Sequence, residues 1–368
     1  MEDQYRSSFI LKQFLAEFPI DLYIYLGDFF DTKLLLNSKS SVYAIRDFTE
    51  KIEICRARGI PCRAIKGTRS HDYDQWEVFD NFMSNKAYNF RYFKTASIEE
   101  TLPGFTIWYA PEENMNFGDY IDLYYDLLTS RPIHMAALHG NFDRIMPSVA
   151  VAANENNADS TTLIFHYEDL ETIVRGPMIA GHWHDGDTSD HLTYVGSYDR
   201  WTFGEDEIKG FCILEYNTET LEYRIIKVPN ILAAEYDTYE FRVSQFQSPD
   251  DWVFYADTVA KHLEKDIHAH IRILCRIDEI APDTEQQIEI LKYRFSNERR
   301  VHFTIVNQVK QEKKKTEKQE KKRMDETFGF IYNKNMDLAE KIQKYIQVTM
   351  GKEYRAADIR ELINKYVM

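Results

Sequence analysis

Asp28, Asp31, His71 with Asp72, His139 and the pair His182 and His184 are spread along the chain, but each follows a run of strand-like residues. A fold that gathers strand ends would therefore bring them to one sheet edge. Carboxylates and neutral imidazoles are the ligand set of divalent transition metals such as Mn²⁺ or Zn²⁺. A carboxylate such as Asp28 can bridge two ions through its two oxygens. Two ions about 3.5–4 Å apart activate a water and stabilise the charge of a pentavalent phosphate. Without metal the same cluster is costly, because buried carboxylates repel one another. Taken singly the pieces are ordinary. Gly-Asp-x-x-Asp is more often a turn with a helix cap, and a histidine after an apolar strand is more often a hydrogen-bonded core residue. Gly181-His182-Trp183-His184 is more specific, since alternate residues can turn two imidazoles toward one centre. Order and spacing together point to a metal centre for phosphoryl chemistry.

The elements that must position these residues can be read from periodicity. Tyr5 to Phe18 has the apolar spacing of an amphipathic helix, ended by Pro19. Asp21 to Leu26 reads as a strand with Gly27-Asp28 at its C-terminal edge. Ser41 to Arg58 reads as a helix stopped by Gly59, and Pro61 to Lys66 as a second strand leading to Gly67 and His71. This order suggests α/β units with ligands at strand ends. Phe105–Ala110 and Ile133–His139 look like further buried strands, and Met178-Ile179-Ala180 leads into Gly181-His182. The segment 154–160 reads as a polar loop, and strand-like segments recur through Val228.

A boundary is expected at Pro229–Ala233, closing a first domain over 1–230. Residues 231–308 read as a small α/β domain: strand near Glu240–Val243, helix near Trp252–Lys265, strand at His270–Ile277, helix at Thr284–Arg294, strand at Val301–Val306. Residues 309–330 form a charged linker. Within it, Lys310–Arg323 holds seven lysines and one arginine against three glutamates, and is either a plain solvated tether or a basic patch for a phosphate backbone. In 331–368, Leu338, Ile342, Tyr345 and Ile346 line one helical face and Ile359, Leu362, Ile363 and Tyr366 another. That helical pair either packs on the parent domains or docks on a partner helix.

Bulk properties narrow the class. A chain of 368 residues exceeds one usual domain, and 44% hydrophobic content is enough for a sizeable core. A net charge of −15 excludes a general electrostatic binder of nucleic acid, leaving phosphate to be met by metal ions and local basic patches. Cys55, Cys62, Cys212 and Cys275 form no C-x-x-C pair, which fits a reducing, cytoplasmic setting. No run approaches the ~20 apolar residues of a membrane helix, so no membrane is expected.

The series Gly27-Asp28-Phe29-Phe30-Asp31, Gly67…Ser70-His71-Asp72, His139 and Gly181-His182-Trp183-His184 resembles the calcineurin-like metallophosphoesterases. Val195-Gly196-Ser197-Tyr198-Asp199-Arg200, Phe203-Gly204-Glu205 and Lys209-Gly210-Phe211 narrow the resemblance to the SbcD-type double-strand-break repair nucleases of bacteria and phages. It covers Tyr5 to Val228 by motif. It implies a four-layered sandwich of two mixed sheets flanked by helices, with a small α/β capping domain and a C-terminal helical pair. It further implies a DNA phosphodiesterase with two divalent ions, most often Mn²⁺, a homodimer, an SbcC-type coiled-coil ABC ATPase as partner, and the bacterial cytoplasm as its place. Carried over by position, Asp28 would bridge the metals, His139 and His182 would ligate one ion, and His184 the other. His71 would be the general acid or transition-state stabiliser at the leaving oxygen, oriented by Asp31.

Two departures stand against the family pattern. Its Gly-Asn-His-Asp appears here as Gly67-Thr68-Arg69-Ser70-His71-Asp72, with Ser70 in the place of the ligand asparagine and Arg69 available to a substrate phosphate. Its first motif, Asp-x-His on the first strand, is absent, since no histidine precedes His71. The expectation is that this strand lies upstream of Met1. Otherwise the first metal site is half-built, and the chain is a non-catalytic scaffold of the same complex. A small-molecule phosphodiesterase is the third alternative.

Overall fold

The computed structural model describes residues 2–30, 32–35, 38–73, 75–83, 87–145, 163–246, 248–279, 283–308, 335–350, 352–353 and 355–366. Asp31, the expected loop 154–160 and the basic run 310–323 lie outside them. The protein is a mixed α/β molecule with several sheets flanked by helices. It divides into two units, one of Met1–Asp237 with Lys265–His270, the other of Thr238–Glu264 with Ile271–Met368.

The first unit begins with two helices where the sequence predicts one, α1 (Glu2–Ser7) and α2 (Phe9–Glu17). The break falls at Ser8. Its hydroxyl bonds the Tyr5 carbonyl at 2.9 Å and the buried Asp47 carboxylate. A serine that bonds its own local backbone competes with helix continuation. Strand β1 (Tyr23–Tyr25) pairs in parallel with β2 (Cys62–Ile65), and β2 with β3 (Phe90–Phe93). Between β1 and β2 runs α3 (Lys39–Arg58). The Ser38 side chain caps its start by accepting from the Ser41 amide, and Gly59 ends it at φ 71°, a left-handed turn that costs glycine nothing. Ala44, Phe48, Ile52 and Cys55 recur at helical spacing and bury into a cluster with Leu11, Leu15, Trp76, Phe79 and Tyr92. Two short helices, α4 (Arg69–Asp72) and α5 (Glu77–Met83), follow β2.

The second sheet has six strands: β4 (Ser97–Leu102), β5 (Phe105–Ala110), β6 (Met135–His139), β9 (Met178–Gly181), β11 (Leu192–Tyr194) and β10 (Asp187–Ser189), in that spatial order. The pairs β5–β6, β6–β9 and β9–β11 are parallel, and the two outermost pairs are antiparallel. Every residue of β5, β6 and β9 is buried, which is why these segments read as unbroken apolar runs. Trp108, Ala110, Ala136, Leu138, Met178 and Ala180 face a core that includes residues of α6 (Phe117–Thr129) and α7 (Tyr167–Ile173). Alternate residues Ile107, Tyr109, Met135, Ala137 and Ile179 face another that includes Ile65 of β2 and Phe93 of β3. A short pair, β7 (Asn141–Phe142) with β8 (Ile164–Phe165), follows β6. The hairpin β12 (Gly210–Tyr216) and β13 (Tyr223–Pro229) adds Leu214, Tyr216 and Ile225 to the second core.

Among the described residues β1 pairs only with β2, and β12 only with β13. A cavity of about 860 Å³ is lined by the whole of 19–29, by 195–199 and by the whole of 210–216, so both strand edges border it. Asp28, His182 and His184 are also in its wall.

The second unit holds β14 (Tyr236–Arg242) for most of its length, β15 (His270–Ile277) and β16 (Val301–Asn307), in that order, with β15 and β16 parallel. Helices α8 (Pro249–Lys265) and α9 (Thr284–Arg294) bury Trp252, Ala256, Val259, Ile288 and Leu291 against Ile271, Ile273 and Cys275. Two terminal helices, α10 (Leu338–Met350) and α11 (Ala356–Tyr366), belong to this unit, with Ala339 and Ile359 buried. No helix among the described residues is long and apolar enough to cross a membrane.

Candidate metal centre

Five parallel strands of the first unit end at one place. Asp28 follows β1, Thr68 follows β2, Glu112 follows β5, His139 closes β6 and His182 follows β9. The C-terminal ends of parallel strands are where α/β folds put their chemistry. Glycines let the strand ends pack closely here, Gly67 within the first sheet and Gly181 between the two. A Cβ on Gly67 would collide with the backbone nitrogen and carboxylate of Asp28, and one on Gly181 with the Leu26 carbonyl.

Asp72 organises the first loop. It is fully buried, and its carboxylate accepts from the amides of Gly67 at 2.8 Å, Asp28 at 3.1 Å and Phe30 at 3.2 Å. Burial, and then the nearby charge of Asp28, push its carboxyl above the usual range. These bonds hold Asp28 at φ 49°, and His182 sits at φ 100°. Left-handed backbone at two non-glycine residues is strain of the kind that accumulates at functional sites.

The donors converge. His139 is fully buried, and its Nδ1 lies 2.6 Å from the Leu26 carbonyl, so Nδ1 carries the proton and Nε2 faces the centre. That Nε2 is 3.2 Å from Asp28 Oδ2. The rings of His139 and His182 stand perpendicular with centroids 5.2 Å apart. Asp28, His139 and His182 each offer a ligand atom within 4.8 Å of the others. Burial opposes charge on His139, but the Asp28 carboxylate outweighs it and lifts the imidazole to about 9. Burial and the charge of His139 lower His182 to about 3, leaving it a neutral donor. Burial would raise Asp28, yet His139 and His71 hold it well below the usual carboxylate range. A proton on His139 thus does for this cluster what a cation would do.

The other predicted residues fall as follows. His71 Nδ1 is 3.2 Å from Asp28 Oδ2. Asp31, its expected partner, lies outside the described residues. Ser70 and Arg69 are exposed on α4, and the hydroxyl that meets the donors belongs to Thr68. Thr68 Oγ1 lies 2.8 Å from Glu112 Oε2, 3.2 Å from His182 Nδ1, and 3.3 Å from both His139 Nε2 and Asp28 Oδ2. Its amide donates to Asp28 Oδ1 at 2.6 Å. His184 stands outside the three-donor group, and its Nδ1 is 3.1 Å from Glu205 Oε1. Glu205 is itself held by the buried Lys209 ammonium at 2.9 Å, and Lys209 also donates to the His184 carbonyl at 3.0 Å. Burial works against the Glu205 charge, but His184 and Lys209 bring the carboxyl down to about 2.

Thr68, Glu112 and Glu205 were not singled out as ligating or positioning residues from sequence. The signal for two of them was available: like Asp28 and His182, Thr68 and Glu112 stand just past the C-terminal end of a parallel strand. No family model matches the chain, and no curated protein matches it.

Proposed function

We propose that this chain is a divalent-metal-dependent phosphodiesterase acting on DNA, the nuclease subunit of an SbcCD-like repair complex. The observation that carries the reading is the convergence of Asp28, His139 and His182 from three parallel strands, with His71 against the same carboxylate. The donor chemistry fits a divalent ion. One carboxylate and two imidazoles with their ring nitrogens directed inward are a common set for Mn²⁺ or Zn²⁺. Metal bound there would supply Lewis-acid charge to a phosphoryl oxygen and acidify a water.

The chain's own residues do the rest. Leu26 fixes the tautomer of His139, and Asp72 fixes the loop that presents Asp28. His71 is partly exposed beside Asp28, where a protonated imidazole can pass a proton to a leaving oxygen. Arg69, exposed one turn away, is available to a backbone phosphate. Helices over one face of the six-stranded sheet, and the smaller sheets and their helices over the other, support a four-layered sandwich. The second unit is read as the DNA-capping domain, with α10 and α11 as the seat of the coiled-coil ATPase and the active form a homodimer.

A second reading has an observation of its own. His184 points to Glu205 rather than to the Asp28, His139 and His182 group, as expected of a scaffold that binds a single ion there without turnover. Cleavage of double-stranded ends in Mn²⁺, with ion stoichiometry by titration, separates the two. The nuclease binds two ions and loses about 10²–10⁴-fold in rate in His71→Ala. One bound ion and no cleavage refute it in favour of the scaffold. Turnover of a chromogenic phosphodiester but not of DNA would favour a small-molecule enzyme.

A further inference from the structure

We infer that the Thr68 hydroxyl is itself a ligand of the ion held by Asp28, His139 and His182, and that Glu112 is the positioning residue that turns its lone pairs to the centre. This rests on the metal reading above.

The argument is one of spacing and proton count. Two metal–donor bonds of about 2.1 Å, set between a right angle and the tetrahedral angle, put neighbouring ligand atoms roughly 3.0–3.4 Å apart. Asp28 Oδ2 to His139 Nε2 is 3.2 Å, and Thr68 Oγ1 stands 3.2–3.3 Å from Asp28, His139 and His182. The hydroxyl is therefore spaced as a member of the ligand set. It has one proton to give. Its shortest contact is Glu112 Oε2 at 2.8 Å, against 3.3 Å to the Asp28 carboxylate, so the proton goes to Glu112. The lone pairs then face Asp28 and two imidazole nitrogens. Lone pairs converging on one point repel unless positive charge lies among them, a proton when no metal is bound or the metal ion when one is.

Glu112 also approaches His182 Nδ1 at 3.8 Å, and both side chains are largely buried. Outer carboxylates that orient a ligand and raise its basicity typically tune metal affinity 10–100-fold.

The test is Mn²⁺ binding to the full chain, by calorimetric titration and by the electron paramagnetic resonance of the free ion, with circular dichroism to report the fold. Thr68→Val and Glu112→Gln should each weaken Mn²⁺ by about 10–100-fold with unchanged dichroism. Thr68→Asn, which supplies an amide oxygen, should restore binding to within about 3-fold, and adding Glu112→Gln to it should cost nothing more. Undiminished affinity in Thr68→Val overturns the inference while leaving the metal centre standing. Equal loss from Glu112→Gln in the wild-type and Thr68→Asn backgrounds overturns the role of Glu112 through the hydroxyl. A wild-type chain that binds no Mn²⁺ removes the metal reading itself, and the inference with it.

Discussion

Asp72→Asn tests how the centre is held. Asp72 Oδ2 accepts from Gly67 and Asp28, and Oδ1 from Phe30, all in a site with no exposed surface. Asparagine keeps one oxygen and turns an NH₂ group toward the remaining amide. One buried donor is then unsatisfied, a loss of about 1–3 kcal/mol, while the weaker bonds of the neutral amide are offset by relief of the burial and Asp28 repulsion that raise the carboxyl. For a unit of this size each kcal/mol moves the midpoint by about 2–4 °C, so the first unit should melt roughly 2–12 °C lower. Asp72→Ala orphans all three amides and should cost more. Thermal unfolding followed by near-ultraviolet dichroism reads both, since Trp76 and Trp108 are buried in this unit. A wild-type midpoint in Asp72→Asn, or equal midpoints for the two variants, would refute the claim that this carboxylate holds the loop.

Further expectations concern packing and pH. Asp47→Ala leaves the buried Lys51 ammonium, now paired at 2.5 Å, without its partner; urea unfolding should show a loss of about 3–5 kcal/mol. Gly67→Ala drives a methyl group into the Asp28 backbone, so Mn²⁺ titration should show lost binding; retained affinity would mean the loop can shift. Glu50 and Glu205 both titrate near about 2 when folded, against 4.5 ordinarily. Both values are depressed, so the stability they contribute is present above pH 4.5 and lost as pH falls from there toward 2. Urea midpoints taken from pH 6 to 3 should fall, and Glu205→Gln should flatten the slope; an unchanged slope removes Glu205 from the account.

Much of the fold was legible where a strand is fully buried, as Phe105–Ala110, or regularly alternating, as His270–Ile277, and both run between the predicted limits, as does the helix Thr284–Arg294. What escaped was local. The first helix is interrupted at Ser8, whose hydroxyl meets Asp47, a tertiary partner that no helical period reveals, although the helical bonds from the Ser8 amide to Gln4 and from the Lys12 amide to Ser8 run on through it. In the site, counting back from His71 puts Ser70 in the asparagine's place. The two extra residues before that histidine wind into α4 and leave Ser70 exposed, so the residue next to Gly67, Thr68, meets the donors instead. Counting from the glycine end of the loop would have found it. Glu112 lay beyond motif spacing altogether and is identified only by where β5 ends.

The cavity between the edges of β1 and β12 has a consequence for how the protein behaves in the tube. Among the described residues each of these strands pairs with one neighbouring strand, the Gly210 amide of β12 also donating to the Ser197 carbonyl, and residues of both line a largely apolar slot. Such edges are templates for any extended chain, including that of another molecule. Loss of material on concentration should therefore begin as association through intact domains, well below the temperature at which the core melts. Its onset should follow protein concentration rather than heat, and amide exchange should be fast for those amides of the two strands that do not face β2 or β13.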